Sequence, residues 1–203
     1  FFAFEQSLWN IMHAKKVFDA FPLLFSPVNI LQRKNLLYTI EVIAELRKYY
    51  PHIAYVVSGK PSIHRSIHDH YDQLYKKISA LGLEHHVLFL SELLPGGLST
   101  NAVRDLYAFS DAALYLSKSE NFGLPILEAT LLKTPIFVSD LAVFHEIGKE
   151  YLEYIDTDTS APSDAAEVIQ ASLEKDTLAA FRREVKQTYS LETIIKEKLL
   201  PLL

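Results

Sequence analysis

The sequence predicts an α/β protein built on a doubly wound parallel sheet. Short apolar runs alternate with longer amphipathic segments about five or six times along the 203 residues, and strands that alternate with helices form parallel sheets with helices on both faces. The apolar runs are continuous, which is typical of strands that are covered on both sides. Hydrophobic residues make up 49% of the chain, so the composition is that of a protein with a substantial core.

Six apolar runs predict strands, because each is short and is bounded by Gly, Pro or polar residues. They cover residues 23–28, 53–58, 87–90, 112–116, 135–139 and 151–155.

The segments between these runs predict helices, since apolar residues recur there at spacings of three and four. Gly82 stands where a glycine would end a helix, Thr100 or Asn101 is expected as an N-cap, and Pro125 lies in a first turn, where proline is tolerated. The predicted helices cover residues 34–50, 66–81, 100–109, 124–133, a short stretch that ends at Gly148, and the tail 161–203 with a break near 188–191.

The predicted organisation has three parts. Residues 1–22 do not follow the repeat and are interpreted as a leader or inter-domain segment, residues 23–190 as a Rossmann-like domain, and residues 191–203 as a C-terminal helix. The chain begins with Phe1 instead of Met, so we expect it to be a piece of a longer protein.

Composition excludes several classes of function. The net charge of −5 argues against a nucleic-acid-binding domain. The absence of cysteine excludes a disulfide framework, a thiolate nucleophile and a zinc–thiolate site. No apolar run is long enough to span a membrane, so no transmembrane segment is expected in this chain. We expect a cytoplasmic location, with peripheral membrane association as the alternative.

Two glutamates follow the fourth predicted strand, at the sheet edge where open parallel sheets bind ligands. Glu120 lies in the loop and Glu128 in the second turn of the next helix, with seven residues between them. A carboxylate accepts two hydroxyl hydrogen bonds at once, and the first N–H groups of a helix bind anions. The segment therefore fits a polyhydroxylated ligand with a phosphate at the helix N-terminus, although a tight turn with two solvated glutamates fits the spacing equally well.

Two further segments reach the same edge. Arg33 and Lys34 follow the first strand, where paired cations neutralise a diphosphate or are simply solvated. The segment 90–97 follows the third strand and contains two glycines; it is interpreted as a loop that receives a base or as a plain flexible loop.

Other candidate motifs carry less weight. His64 and His68 have a metal-ligand spacing, but no third-ligand pattern joins them and His70, so a structural or surface role is expected. His145 is interpreted as a helix-start residue, with a catalytic base as the less favoured alternative. Neither a G-x-G-x-x-G nor a P-loop motif is present, which argues against a dehydrogenase and a P-loop enzyme.

The run 119–129, Ser-Glu-Asn-Phe-Gly-Leu-Pro-Ile-Leu-Glu-Ala, resembles the E-x7-E motif of retaining glycosyltransferases with the GT-B fold, in particular of glycosyltransferase family four, group 1. The run 33–35 resembles the R-K-N segment of the same family, and residues 110–111, 134–140 and 145–148 resemble its order of elements. The resemblance covers about residues 23–160. It implies one half of a GT-B fold, namely the C-terminal nucleotide-sugar-binding domain.

The resemblance also implies roles for individual residues, with a nucleotide diphosphate sugar as the donor and no metal or other cofactor. Lys34 and Glu120 would be the catalytic residues, and Lys34 would stabilise the leaving diphosphate. Glu128 would bind the ribose hydroxyls, and Leu93 would lie near the nucleobase. The diphosphate would be bound by Arg33, Lys34, Gly123 and Leu124, and the sugar by Glu120, Asn121, Phe122 and Gly123.

One position departs from the family pattern. The family usually carries a basic residue five positions before the lysine, and Asn29 stands there.

The expected function is that of the donor-binding domain of a hexosyltransferase with an unknown acceptor, and an N-terminal acceptor-binding domain is expected before Phe1. The alternatives are a non-catalytic scaffold that keeps the fold, a sugar-nucleotide epimerase, or a phosphorylase, for which no cofactor lysine motif is seen.

Overall fold

A single parallel sheet of six strands forms the centre of the molecule. The computed structural model describes residues 5–59, 66–94, 96–177 and residue 181. The sheet order is β3-β2-β1-β4-β5-β6, with every neighbouring pair parallel. The strands are β1 (Leu23–Ser26), β2 (Ala54–Val57), β3 (Val87–Phe89), β4 (Ala112–Tyr115), β5 (Ile136–Ser139) and β6 (Glu153–Ile155).

At least one helix lies between each two consecutive strands, as the connections of a parallel sheet require. They are α1 (Gln6–Ala14), α2 (Leu36–Tyr49), α3 (Ser66–Ala80), α4 (Leu90–Leu93), α5 (Thr100–Phe109), α6 (Leu124–Leu131), α7 (Ala142–Gly148) and α8 (Pro162–Lys175). Three short 3₁₀ segments cover Val17–Asp19, Gln32–Lys34 and Lys149–Tyr151. No helix within the described ranges has both the length and the apolar character needed to cross a membrane.

The six parallel strands and the helices between them confirm the predicted fold class. Four strands are buried along their whole length, as the continuous apolar runs predict: β1, β2, β4 and β5. Gly82 ends α3 as expected: it has φ +64°, and the amide of Leu83 reaches back to the Ile78 carbonyl at 2.9 Å. This is the six-to-one hydrogen bond of a Schellman motif.

Three local predictions were wrong. The N-cap of α5 is Ser99, whose hydroxyl accepts from the Ala102 amide at 3.1 Å, and neither Thr100 nor Asn101. Residues 90–93 form a helical turn instead of a loop. The helix predicted for 161–203 is interrupted after Lys175, because Asp176 adopts an extended conformation, although residues 177 and 181 are again helical. The predicted break near 188–191 and the predicted helix 191–203 lie outside the described residues.

The N-terminal segment packs on the domain. Leu8 and Met12 of α1 are buried in the core, and the ring of Trp9 packs on Phe18, which in turn contacts Phe109 of α5. The side chain of Glu5 contacts the Ser99 hydroxyl. The boundary predicted at residue 22 stays a prediction.

Buried serines tie the carboxyl ends of the strands together. The Ser26 hydroxyl donates to the Leu114 carbonyl at 2.7 Å, and the Ser139 hydroxyl donates to the Ser117 carbonyl at 2.6 Å. Because each bond joins neighbouring strands or the loops that follow them, the segments after β1, β4 and β5 are held at fixed relative positions.

Candidate functional site

The sheet reverses its order between β1 and β4, which is the topological switch point where open α/β sheets bind ligands. The 3₁₀ segment Gln32–Lys34 follows β1, and the loop with Glu120 follows β4. The Lys118 amide donates to the Arg33 carbonyl at 2.8 Å, so the two segments are joined through their backbones. The structure therefore places the predicted basic pair and the first predicted glutamate side by side.

Glu120 is held by both cations. Its Oε2 accepts from the Arg33 guanidinium at 2.8 Å, and its Oε1 pairs with the Lys34 ammonium. The side chains of Lys34 and Glu120 are only 10% and 7% exposed, whereas that of Arg33 is 47% exposed. Lys34 also lies over the Tyr115 ring, 5.0 Å from its centroid. Two cations and one carboxylate leave this cluster with a net charge of +1.

The electrostatics of the cluster keep Glu120 ionised. Burial by itself would raise its pKa, but hydrogen bonds, above all from Lys34, outweigh that effect and lower the pKa below its usual value. Burial and the neighbouring Glu120 charge raise the pKa of Tyr115, so that phenol stays protonated. The cluster is therefore a fixed carboxylate between charged and neutral hydrogen-bond donors.

The start of α6 depends on Gly123. This residue has φ +117°, a backbone conformation that residues other than glycine rarely adopt. A Cβ added there would lie 3.2 Å from the Phe144 ring. The first N–H groups of a helix have no partner within the helix, so this turn presents the Leu124 amide at the sheet edge. Asn121, Phe122 and Leu124 are exposed around it.

Glu128 has a different environment from Glu120. It is exposed on α6, and its Oε2 accepts from the hydroxyl of Tyr107 at 3.0 Å. Tyr107 is 1% exposed, and burial together with the Glu128 charge raises its pKa, so it remains a donor. One carboxylate oxygen is oriented by the protein while the carboxylate as a whole faces solvent.

A cavity of about 290 Å³ lies on the other side of the switch point. Its lining comes from the segments after β1, β2 and β3 together with α5: Asn29, Ser58, Gly59, Gly96, Gly97, Leu98 and Val103. A Cβ on Gly59 would lie 2.1 Å from the Val28 carbonyl oxygen, so only glycine permits this approach of the two loops. Leu93 does not line this cavity, and its predicted position near a nucleobase stays a prediction.

The histidines form no metal site in the part of the chain described. No group of three or more His, Asp or Glu side chains there could hold a metal ion. His64 and the side chain of His68 lie outside the described residues. His145 lies within α7, not at its start, with Nε2 at 2.5 Å from Asp140 Oδ1, and its ring stacks on Tyr154.

Sequence reasoning missed two tyrosines of the site. Tyr115 is the last residue of β4 and Tyr107 lies in α5, where both were interpreted only as parts of apolar elements. The position of Tyr115 immediately before the polar loop was a usable signal. Nothing local marks Tyr107, because the chain brings α5 beside α6 only in the folded protein.

The strand order and the polar cluster at the switch point define a Rossmann-like α/β domain whose site lies at the carboxyl edge of the sheet. Residues 9–188 match the family model described as glycosyl transferases group 1. The chain therefore belongs to the glycosyl transferases group 1 family.

Curated relatives match a shorter part of the chain. It is 36% identical over 89 residues to the serotype-specific mannosyltransferase WbdA of Escherichia coli, which is 43% of this chain and 11% of that protein. It is also 36% identical over 90 residues to the O-antigen chain mannosyltransferase RfbU of Salmonella typhimurium, 44% of this chain and 24% of that protein. The matches thus span between about a tenth and a quarter of those relatives.

Solved structures share the fold. The Anabaena protein Alr3699/HepE in complex with UDP superposes with a TM-score of 0.70 at 19% identity, over 98% of this chain and 53% of that one. The C-terminal domain of the group 1 glycosyl transferase LpcC from Francisella tularensis superposes with a TM-score of 0.66 at 20% identity, over 96% of this chain and 92% of that domain.

Proposed function

We propose that this chain is the donor-binding, C-terminal domain of a retaining GT-B glycosyltransferase of family four, which moves a sugar from a nucleotide diphosphate sugar to an acceptor. The observation that carries the proposal is the Lys34–Glu120–Arg33 cluster at the switch point, together with Glu128, which follows Glu120 after seven intervening residues and is oriented by Tyr107. The group 1 family match supports it, as does the UDP complex of a protein with the same fold.

The diphosphate would lie between the basic segment and the start of α6. When the bond from the anomeric carbon to the diphosphate oxygen breaks, the electron pair and the negative charge go to that oxygen, while the acceptor oxygen bonds to the anomeric carbon and releases its proton. Lys34, Arg33 and the Leu124 amide would stabilise this charge. Because these groups are already in position, the site would not need to rearrange during the reaction. The net charge of +1 on the cluster attracts the anion before the reaction begins.

The two glutamates would bind hydroxyl groups of the donor. Glu120 already accepts from two cations, but a carboxylate has about four lone-pair sites, so it can still accept from sugar hydroxyls. Asn121, Phe122 and Gly123 would line the sugar. Glu128 would accept from the two ribose hydroxyls, with Tyr107 fixing its orientation. The cavity of about 290 Å³ beside Asn29 would receive the nucleobase. We expect no metal in this chemistry.

Nucleotide titration tests the proposal. Isothermal titration with UDP, GDP and ADP should show saturable binding of one nucleotide to this chain, and Glu128→Ala should weaken that binding at least about tenfold through two lost hydrogen bonds to a charged group. Glu167→Ala, at an exposed position of α8, is the matched control and should leave the affinity unchanged. Equal affinities for both variants would contradict the proposed ribose contact.

Turnover requires the longer protein in which this domain functions. Incubated with the donor that titration identifies, that protein should give a glycoside whose anomeric configuration equals that of the donor, as judged by the coupling constant of the anomeric proton. An inverted product would contradict the retaining assignment.

A non-catalytic binding domain is the second candidate, and Asn29 is the residue that favours it. Asn29 is exposed in the cavity next to Gly59 and has no charge for a diphosphate. Asn29→Arg should raise diphosphate affinity severalfold if the site has lost a functional cation. An unchanged affinity would show that Arg33 and Lys34 suffice.

A further inference from the structure

A second cavity borders the cluster on the side of α2 and α3. Its volume is about 380 Å³, which is within the range of small-ligand sites. The polar part of its lining consists of Gln32, Arg33, Asn35, His70, Gln73 and Lys118. Arg33 also contacts Glu120, so the cavity adjoins the proposed donor site without containing Lys34, Glu120 or Glu128.

Asn35 lines this cavity, and its side-chain amide is buried. The residue is 6% exposed, and its Nδ2 is buried without a hydrogen-bond partner among the described residues. Asn35 is the N-cap of α2 with φ +56°, but its side chain makes no capping hydrogen bond. A buried amide N–H that has no hydrogen-bond partner is costly unless a ligand satisfies it.

His70 is a second buried polar side chain of the cavity. It is 3% exposed, and within the ranges described neither ring nitrogen forms a hydrogen bond of good geometry. Burial lowers its pKa, and hydrogen bonding with Gln73 raises it by less, so the imidazole is neutral near pH 7 and offers one N–H donor.

The charges around the cavity have one sign. Arg33 and Lys118 supply two cations, and no Asp or Glu occurs among the described residues that line it, although the whole chain carries a net charge of −5. Asn35, Arg33 and Lys118 all present N–H donors. A lining rich in donors and free of carboxylates fits an anion better than a neutral hydroxyl, which also needs an acceptor.

We propose that this cavity binds a phosphate group that does not belong to the nucleotide donor. Only the separation from the donor rests on the proposed function; the anion site itself rests on Asn35, His70 and the two cations. The phosphate is either inorganic phosphate or a phosphate monoester on a second ligand.

NMR of the labelled chain tests the site directly. The side-chain amide signal of Asn35 is the one that disappears in Asn35→Gly, a change that keeps the left-handed backbone. Titration with inorganic phosphate should shift this signal saturably, and the shift should also appear under saturating UDP, because Arg33 is the one lining residue that the cavity shares with the proposed donor site. Competition between phosphate and UDP would overturn the proposal, because the cavity would then be part of the donor diphosphate site. A signal that phosphate does not shift would also overturn it.

Variants distinguish phosphate binding at this cavity from general attraction of phosphate to surface cations. Asn35→Gly and Lys118→Gln should each raise the phosphate Kd at least fivefold, followed on backbone amides of α2, and leave UDP affinity within twofold. Lys76→Gln, at an exposed position of α3 outside the cavity, should change the phosphate Kd less than twofold. Equal effects of Lys118→Gln and Lys76→Gln would overturn the proposal.

A second titration identifies the source of the phosphate. Glycerol 3-phosphate that binds as tightly as inorganic phosphate supports a phosphorylated ligand, and exclusion of the ester supports free phosphate. Phosphate binding in a chain that binds no nucleotide would support the anion site while contradicting the proposed donor function, so the two failures are distinguishable.

Discussion

Glu120 and Glu128 belong to two regions of one short segment that have opposite character. The region around Glu120 is enclosed: its side chain is 7% exposed, and its carboxylate pairs with two cations from the segment after β1. The region around Glu128 is open, and the Tyr107 hydroxyl orients its carboxylate by donating a hydrogen bond. The first region is assembled before any ligand arrives, whereas the second keeps its acceptor free. Folding and binding therefore place different demands on two identical side chains.

The largest loss of stability is expected from a substitution that removes a cation from the enclosed region. Lys34→Met leaves Arg33 as the one cation paired with the buried Glu120 among the described residues, and we expect the free energy of unfolding to fall by about 3 kcal/mol, because removing one partner of a buried ion pair is costly. Urea denaturation measures this change. Lys77→Met is the matched control: its pair with Glu41 is about one-third exposed on each side, so the loss should stay below about 1 kcal/mol. Equal losses would show that the cluster is no more buried than a surface pair.

The turn that joins the two regions should be next in sensitivity. Gly123→Ala puts a side chain at φ +117° and 3.2 Å from the Phe144 ring, which should cost about 2 kcal/mol of stability. Gly96→Ala meets no atom within 4 Å and should change the melting temperature little. If both variants melt alike, the conformation of Gly123 is not what holds the start of α6.

Acid should weaken the enclosed region, because the pKa of Glu120 is lowered in the folded protein. The pKa of Glu120 lies below its usual 4.5 in the folded protein, so its stabilising effect is present above that value. The effect is lost as the pH falls through the folded pKa. The difference in unfolding free energy between the natural chain and Glu120→Gln should therefore be largest at neutral pH and shrink below about pH 4.5. A difference that grows toward acid would mean that the pKa is raised instead.

The smallest effect concerns the open region. Tyr107→Phe removes the hydrogen bond to Glu128 and should lower stability by about 1 kcal/mol and weaken nucleotide binding severalfold. Tyr55→Phe removes the hydroxyl that donates to Ser26 at 2.7 Å and should cost similar stability with unchanged nucleotide affinity. If the two variants bind nucleotide equally well, Tyr107 does not orient Glu128 for a ligand.

The strands and most helices followed from local patterns, because burial on both faces imposes continuous apolar runs and helix ends select particular residues. Ser99 shows the limit at element ends: several polar residues stand together there, and only the backbone geometry decides which one caps α5. The helical turn 90–93 shows a second limit of prediction from sequence, since four residues are too few to show the periodicity of a helix.

The sequence by itself determined the parallel α/β fold and the chemical types at the sheet edge: a basic pair after β1 and two glutamates after β4. Only the tertiary structure decided how they combine, because β1 and β4 are neighbours in the sheet but lie far apart along the chain. That neighbourhood pairs Glu120 with Lys34 and Arg33, while the packing of α5 brings Tyr107 to Glu128. Asn35 and His70 line one cavity for the same reason: helices α2 and α3 pack side by side, and no local pattern records which buried side chains their packing brings to a common cavity.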